Sequence, residues 1–171
     1  FLRSYGLEIF IRRNLTGRAF GWISYTISKT EQKASKNSPW KPTQVDQTHV
    51  LNLAALYKFT GQWSLGVRVN YRTGDRFTPV SDVYFNANLN KYQPINSNNI
   101  NSGRLPNYHQ IDIYSTYDFL WDYWKLKLRT GVEYLSFKDK ALGYEYNYDY
   151  SNKNYVKGIP VIPYIEISGV F

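Results

Sequence analysis

Residues 62–72, QWSLGVRVNYR, place Trp63, Leu65, Val67, Val69 and Tyr71 at every second position, with Ser64, Gly66, Arg68, Asn70 and Arg72 between them. Successive side chains leave a pleated strand on opposite sides, so this alternation predicts a β-strand with one apolar and one polar face. The apolar face begins and ends in an aromatic ring with aliphatic side chains between, and the polar face carries two arginines. Alternation alone does not say which face a sheet turns inward. Its recurrence along the chain constrains the fold much further.

Residues 5–13 set Leu7, Ile9 and Ile11 against Glu8, Phe10 and Arg12, and Asn14-Leu15-Thr16-Gly17 then supplies turn chemistry. Residues 19–32 oppose Ile23, Tyr25 and Ile27 to Trp22, Ser24, Thr26 and Ser28, and a polar stretch with Pro39 and Pro42 follows over 33–47. Residues 48–60 carry Leu51, Leu53, Ala55, Tyr57 and Phe59 on one face, and Thr60-Gly61-Gln62 turns tightly into the strand first described. The longest irregular region runs from Gly74 through Asn107, rich in Asn, Ser, Pro and Tyr, of a length that in compact domains is usually functional or mobile. Residues 108–120 resume alternation with Ile111, Ile113, Tyr117 and Phe119, and a turn at 121–123 leads to Trp124, Leu126, Leu128, Val132 and Tyr134 against Lys125, Lys127, Arg129, Gly131 and Glu133. A third long loop over 138–158 holds YEYNYDY, and residues 159–171 end the chain with Ile165, Ile167, Gly169 and Phe171 against Tyr164, Glu166, Ser168 and Val170.

Seven strands result, joined by connections that run short, long, short, long, short, long. In an antiparallel up-and-down sheet all the long connections then lie at one end and all the tight turns at the other, the asymmetry of an outer-membrane β-barrel. Composition agrees: 17 Tyr with a mean hydropathy of −0.51 suit strands that end at a membrane interface, where amphipathic rings sit at headgroup level. No run of about 18 apolar residues predicts a transmembrane helix. The absence of cysteine excludes disulfides, thiolate catalysis and cysteine-built metal sites. With no initiating Met or signal peptide, and Phe1 already inside a strand pattern, the sequence reads as a mature or partial chain. The expected fold class is all-β, an antiparallel up-and-down transmembrane β-barrel segment.

The segments YGLEIFIRRN, FGWISYTISK, DQTHVLNLAALYKF, WSLGVRVNYRTGDRFTPV, NSGRLPNYHQIDI and GIPVIPYIEISGVF resemble the C-terminal barrel strands of TonB-dependent outer-membrane receptors. The resemblance covers nearly the whole chain. It implies a 22-stranded barrel with an N-terminal plug, driven by the TonB complex to import siderophores, cobalamin, glycans or other scarce solutes across the outer membrane of a Gram-negative bacterium. Residues 1–171 would be the final third of such a barrel domain, without plug or TonB-contacting segment. An odd count of seven cannot close as a conventional bacterial barrel, so the remaining strands and the plug are expected from the same polypeptide or a partner chain. The other partners implied are outer-membrane lipid, lipopolysaccharide, the TonB complex through the missing N-terminal part, and the barrel-assembly machinery. Ile165, Ile167 and Phe171 resemble the terminal signal which that machinery reads; the other reading of Phe171 is an interfacial anchor.

Arg68, Asn70, Arg72, Lys125, Lys127, Arg129 and Glu133 are the lumen-facing candidates. The cations among them either line an anion path or pair with Glu8, Asp112, Asp118, Glu133 and Glu166 across strands. Trp40, Tyr84, Tyr92, Tyr144, Tyr146 and Tyr148 are loop candidates to stack on a sugar or aromatic ligand, or else form an aromatic rim. His49 and His109 stand where long loops enter strands, with Asp46 and Asp112 near in sequence, but without ligand spacing. No GxSxG or other arrangement fixes a nucleophile beside a base, and the basic charge is spread without the compact patch of a nucleic-acid site. The expectation is a transporter rather than an enzyme, with no catalytic, cofactor or metal residue assigned and no nucleic acid bound. Two other classes stay open: a barrel used as a structural or interaction subunit without transport, and an outer-membrane enzyme.

Overall fold

The computed structural model describes residues 1–136, 141–158 and 160–170, with the backbone alone at residues 15 and 16. Among these the chain forms fourteen strands and no helix: β1 Leu2–Thr16, β2 Ala19–Gln32, β3 Lys41–Pro42, β4 His49–Lys58, β5 Trp63–Arg72, β6 Arg76–Phe77, β7 Val80–Asn86, β8 Lys91–Asn96, β9 Gly103–Arg104, β10 Tyr108–Leu120, β11 Lys125–Leu135, β12 Ala141–Tyr146, β13 Lys153–Lys157 and β14 Ile162–Val170.

Seven long strands make one antiparallel meander in the order β1-β2-β4-β5-β10-β11-β14, with β3 added beside β2. Each neighbour in space is the next long strand in sequence, the up-and-down connectivity expected from the alternation. Three tight turns close one end. Gly17 takes a φ of 74° between the paired residues Thr16 and Ala19, as the first central residue of a two-residue hairpin turn requires. Thr60 Oγ1 accepts from the N–H groups of Gln62 and Trp63, at 3.2 and 2.9 Å. Trp121 N–H donates to the Trp124 carbonyl across the third.

The long connections are not structureless, and here the sequence reading is corrected. Residues 74–107 contain the paired β6 and β9 and a hairpin of β7 with β8; the third connection contains a hairpin of β12 with β13. These strands span only two to seven residues, too short for a clean period in an Asn- and Tyr-rich stretch, and side-chain bonds fix their turns. Asn86 Oδ1 accepts from the N–H groups of Asn88 and Leu89, and Asn147 Oδ1 from that of Asn152.

The register sorts the faces. Ile23, Leu53, Val69, Ile111 and Leu135 lie side by side across β2, β4, β5, β10 and β11. Ser24, Asn52, Asn70 and Gln110 form the equivalent row on the other face. One assignment fails: β11 bulges opposite Asp112, so Leu135, not Tyr134, pairs with Ile111. Tyr134 takes a φ of 61°, and its N–H donates to Asp112 Oδ1 at 3.0 Å, which holds the extra residue of the bulge in place.

Among the described residues the sheet encloses no hydrophobic core. Leu105 is the one buried hydrophobic side chain among the described residues, whereas Leu7, Ile9, Ile11, Ile165 and Ile167 stand exposed on the apolar face. A compact monomer of 20.1 kDa should expose about 8,700 Å². This chain exposes 11931 Å², roughly a third more. The meander does not close: among the described residues β1 pairs with β2 and β14 with β11, with no pairing between β1 and β14.

Candidate functional site

Two surfaces carry the polar and aromatic chemistry: the polar face of the sheet, and the three long connections gathered at one end. Arg68, Asn70, Arg72, Lys125, Lys127, Arg129 and Glu133 fall on the same face because they share the strand parity of Asp112 and Glu166 through the register of β5, β10, β11 and β14. Arg68 Nη1 lies 3.9 Å from Asp112 Oδ2, Lys125 Nζ 3.3 Å from Asp118 Oδ2, and Arg129 Nη1 3.8 Å from Glu166 Oε2. Arg72 sits over the Tyr108 ring at 4.7 Å, and Asn70 Nδ2 donates to Asn52 Oδ1. Most of these cations are therefore compensated across strands, a pattern worth at most about 1 kcal/mol per exposed pair. Glu8 instead accepts the Ser24 hydroxyl at 3.2 Å. Glycines give the face its packing. The Tyr114 ring lies over Gly66, where an added Cβ would meet its Cζ at 2.1 Å, and Arg129 stacks on that ring at 4.1 Å.

The apolar face ends in rings. At the tight-turn end Tyr57 meets Phe59 edge to face at 5.0 Å and Phe59 stacks on Trp63 at 4.4 Å, while Tyr117, tilted against Phe119 at 4.7 Å, leads to the stacked rings of Phe119, Trp121 and Trp124 at 5.8 and 4.0 Å. Trp63 Nε1 donates to the Ser115 hydroxyl at 2.9 Å. At the other end Tyr25 and Tyr71 flank Leu51, the residue they both pair with in register. Tyr71 and Trp63 are eight residues apart on β5, about 27 Å along the strand.

At the loop end Asp46 organises the base. Its side chain is 1% exposed, and Oδ2 lies 2.7 Å from Arg76 Nε and 3.1 Å from Arg104 Nη2, while Oδ1 accepts the Thr30 N–H at 2.9 Å. Arg76 and Arg104 are direct partners on the two-residue ladder of β6 with β9, so two like charges face each other there. Asp46 is the counter-charge that lets the ladder form. Burial pushes the Asp46 carboxyl upward, but the Thr30 N–H, the Arg76 bond and the two guanidinium charges outweigh it and hold the pKa below the usual carboxylate value. Arg104 also donates to the carbonyls of Asp46 and Gly74 and to the Thr48 hydroxyl. Asn101 Nδ2 reaches the Pro42 carbonyl at 2.9 Å and Lys41 Nζ the Asn98 carbonyl at 2.9 Å, so the first two long connections are tied together.

The loop aromatics divide. Tyr92 and Tyr148 meet edge to face at 5.6 Å, and the Tyr148 hydroxyl donates to the Asn90 carbonyl, which joins the second connection to the third. Tyr144 packs at 4.8 Å on Phe77 and 5.1 Å on Tyr155, Tyr146 on Tyr150, and the Tyr84 hydroxyl bonds Gln93 Oε1. Trp40 stands apart from them under two cations, Arg3 at 4.1 Å and Lys33 at 4.8 Å. Burial raises the Tyr144 hydroxyl, and its bond with Tyr155 adds to that.

His49 Nδ1 bonds the Tyr25 hydroxyl at 2.8 Å, and Asp46 is engaged by its arginines. Among the described residues no group of three or more His, Asp or Glu side chains gathers as metal ligands would. Ile165 and Ile167 are exposed on the apolar face of β14, and Phe171 lies outside the described residues. Sequence reasoning missed the roles of Arg76, Arg104, Asn101, Phe77 and Tyr155. Their partners are 30 to 59 residues away in the chain for the first three, and no local period marks them. No family model, curated protein or solved structure matches this chain.

Proposed function

We propose that this chain is the C-terminal barrel region of a TonB-dependent outer-membrane receptor that imports a scarce solute such as a siderophore, cobalamin or a glycan. The observation that carries the reading is a seven-stranded meander without a hydrophobic core, whose apolar face is bounded at both ends by aromatic rings. Such a sheet is stable where lipid covers the apolar face and a polar interior meets the other. Asymmetry of the connections adds support, because the tight turns suit a periplasmic side and the loop cluster an extracellular one.

The edges say what completes it. β1 leads into a tight turn and β14 follows a long connection, so both run toward the tight-turn end and are parallel to each other. Phe1 and Lys33 exchange both backbone hydrogen bonds. With that alternation Leu2, Ser4, Gly6, Glu8, Phe10 and Arg12 turn their N–H and C=O groups to the open edge. In lipid each such unpaired group costs several kcal/mol. The completing strands are therefore odd in number, and those at both edges run toward the loops. In this reading the plug fills the lumen, the TonB complex engages a segment outside this chain, and lipopolysaccharide surrounds the loop end.

The test is energised uptake by cells that carry or lack the full-length protein, grown under limiting iron, cobalamin or glycan. The reading expects one uptake activity to disappear with the protein and to collapse on dissipating the proton gradient. Equal uptake in both strains would instead favour a barrel serving as a structural or interaction subunit.

A further inference from the structure

We propose that the loop end of the apolar face carries a saccharide-binding cleft that takes the neutral sugar headgroup of an outer-leaflet glycolipid, and this rests on the outer-membrane reading above. Tyr71 and His109 are register partners on the apolar face, one rung before the Arg72–Tyr108 pair that ends the ladder of β5 with β10 at the loops. Above them the β12–β13 hairpin brings Tyr144 and Tyr155 into the same opening. With Arg104 and Asn107 these residues line an open cleft of about 510 Å³, within the usual range of small-molecule sites.

The chemistry of the lining selects the ligand class. A pyranose offers one face of C–H bonds and a rim of hydroxyls, and it needs flat rings together with neutral donors and acceptors. Tyrosine supplies both in one side chain. Asn107 Nδ2 donates to the Tyr71 hydroxyl at 2.9 Å, and Asn107 Oδ1 accepts the Gly74 N–H at 3.3 Å. The Tyr71 hydroxyl thus keeps its own hydrogen to donate, and the Asn107 amide keeps a second N–H. Arg104 is not presented as an anion hook, because its guanidinium is engaged by Asp46, Gly74 and Thr48. The position of the cleft selects the source: Tyr71 is the ring nearest the loops on the apolar face of β5, so a sugar held beside it sits where a lipid headgroup would lie.

The experiment uses the full-length protein in phosphatidylethanolamine vesicles with two photoactivatable probes, read by peptide mass spectrometry. One is a neutral digalactosyl glycolipid carrying a diazirine on the sugar. The other is a phosphatidylethanolamine carrying a diazirine in its acyl chain. The sugar probe should label peptides spanning 104–109 and 141–157, and the acyl probe β5 and β11. Tyr155→Ala should lower sugar labelling about tenfold, the size of one lost ring contact, while Tyr155→Phe retains most of it; acyl labelling should be the same in both, which reports that the sheet is intact. Acyl labelling without sugar labelling at the cleft, or sugar labelling indifferent to Tyr155→Ala, overturns the cleft and leaves the membrane reading standing. Competition by free digalactose as effective as by the glycolipid overturns the lipid source. Loss of both labels overturns the membrane reading and the cleft with it.

Discussion

At the scale of the residue, Asp46 shows how one buried carboxylate decides the shape of a loop. Without it the guanidiniums of Arg76 and Arg104 face each other across a two-residue ladder, and repulsion opens the base of residues 74–107. Asp46→Asn should therefore loosen that connection by about 3 kcal/mol, the scale of breaking a buried ion pair. Hydrogen exchange should rise over 74–107 while β4, β5 and β10 keep their protection. The pH dependence has a definite sign. The folded pKa of Asp46 lies below its unfolded value, so its stabilisation is fully present above the unfolded pKa of about 3.8 and is lost as pH falls through the folded one. Loop exchange should accelerate only in acid below about pH 4, and the asparagine variant should not show that acceleration. An exchange profile of wild type flat down to the lowest pH measured would count against the role assigned to Asp46. Little of this was legible in the sequence, where Asp46 stood out only as a neighbour of His49, because an ion pair spanning 30 or 58 residues leaves no periodic trace.

At the scale of the element, alternation was informative wherever a strand was long. All seven long strands follow from period two, and β2 and β10 keep the expected limits, Ala19–Gln32 and Tyr108–Leu120. Each has one face apolar enough to impose the period. The bulge in β11 was not legible, since Tyr134 continues the apolar pattern after Val132 and only the Asp112 carboxylate, on another strand, captures its N–H. The loop hairpins escaped for a related reason: their turns are set by Asn86 and Asn147 side chains, and Asn is common throughout those stretches. Among the proposed site residues, the row from Arg68 to Glu133 followed from parity alone, whereas the grouping of the loop tyrosines needed three dimensions. Val67 sits midway along β5 beside Ala55 and Ile113. If lipid covers this face, Val67→Arg should destabilise the assembled protein by about 2–4 kcal/mol, whereas the same change at Asn70, on the polar face, should cost less than about 1 kcal/mol. Equal costs in equilibrium denaturation from detergent would remove the distinction between the faces.

At the scale of the whole molecule, the dominant fact is a sheet with two open edges and no interior of its own. Parallel edge strands rule out antiparallel closure of the sheet on itself, and they equally rule out a head-to-tail ring of copies that stays antiparallel throughout. The isolated 171-residue chain should therefore fail to form a heat-resistant monomeric barrel in detergent. A compact, heat-modifiable species with full amide protection of β1 and β14 would contradict that. Lipid on one face and a polar interior on the other can be read out by spin labels placed singly at Val67, Leu126, Arg68 and Lys127 of the full-length protein in bilayers. Relaxation at Val67 and Leu126 should respond to oxygen, which concentrates in lipid, and relaxation at Arg68 and Lys127 to a water-soluble nickel chelate. The opposite assignment, with the chelate reaching Val67 and Leu126 and oxygen favouring the arginine and lysine positions, would put water on the apolar face and overturn the membrane reading.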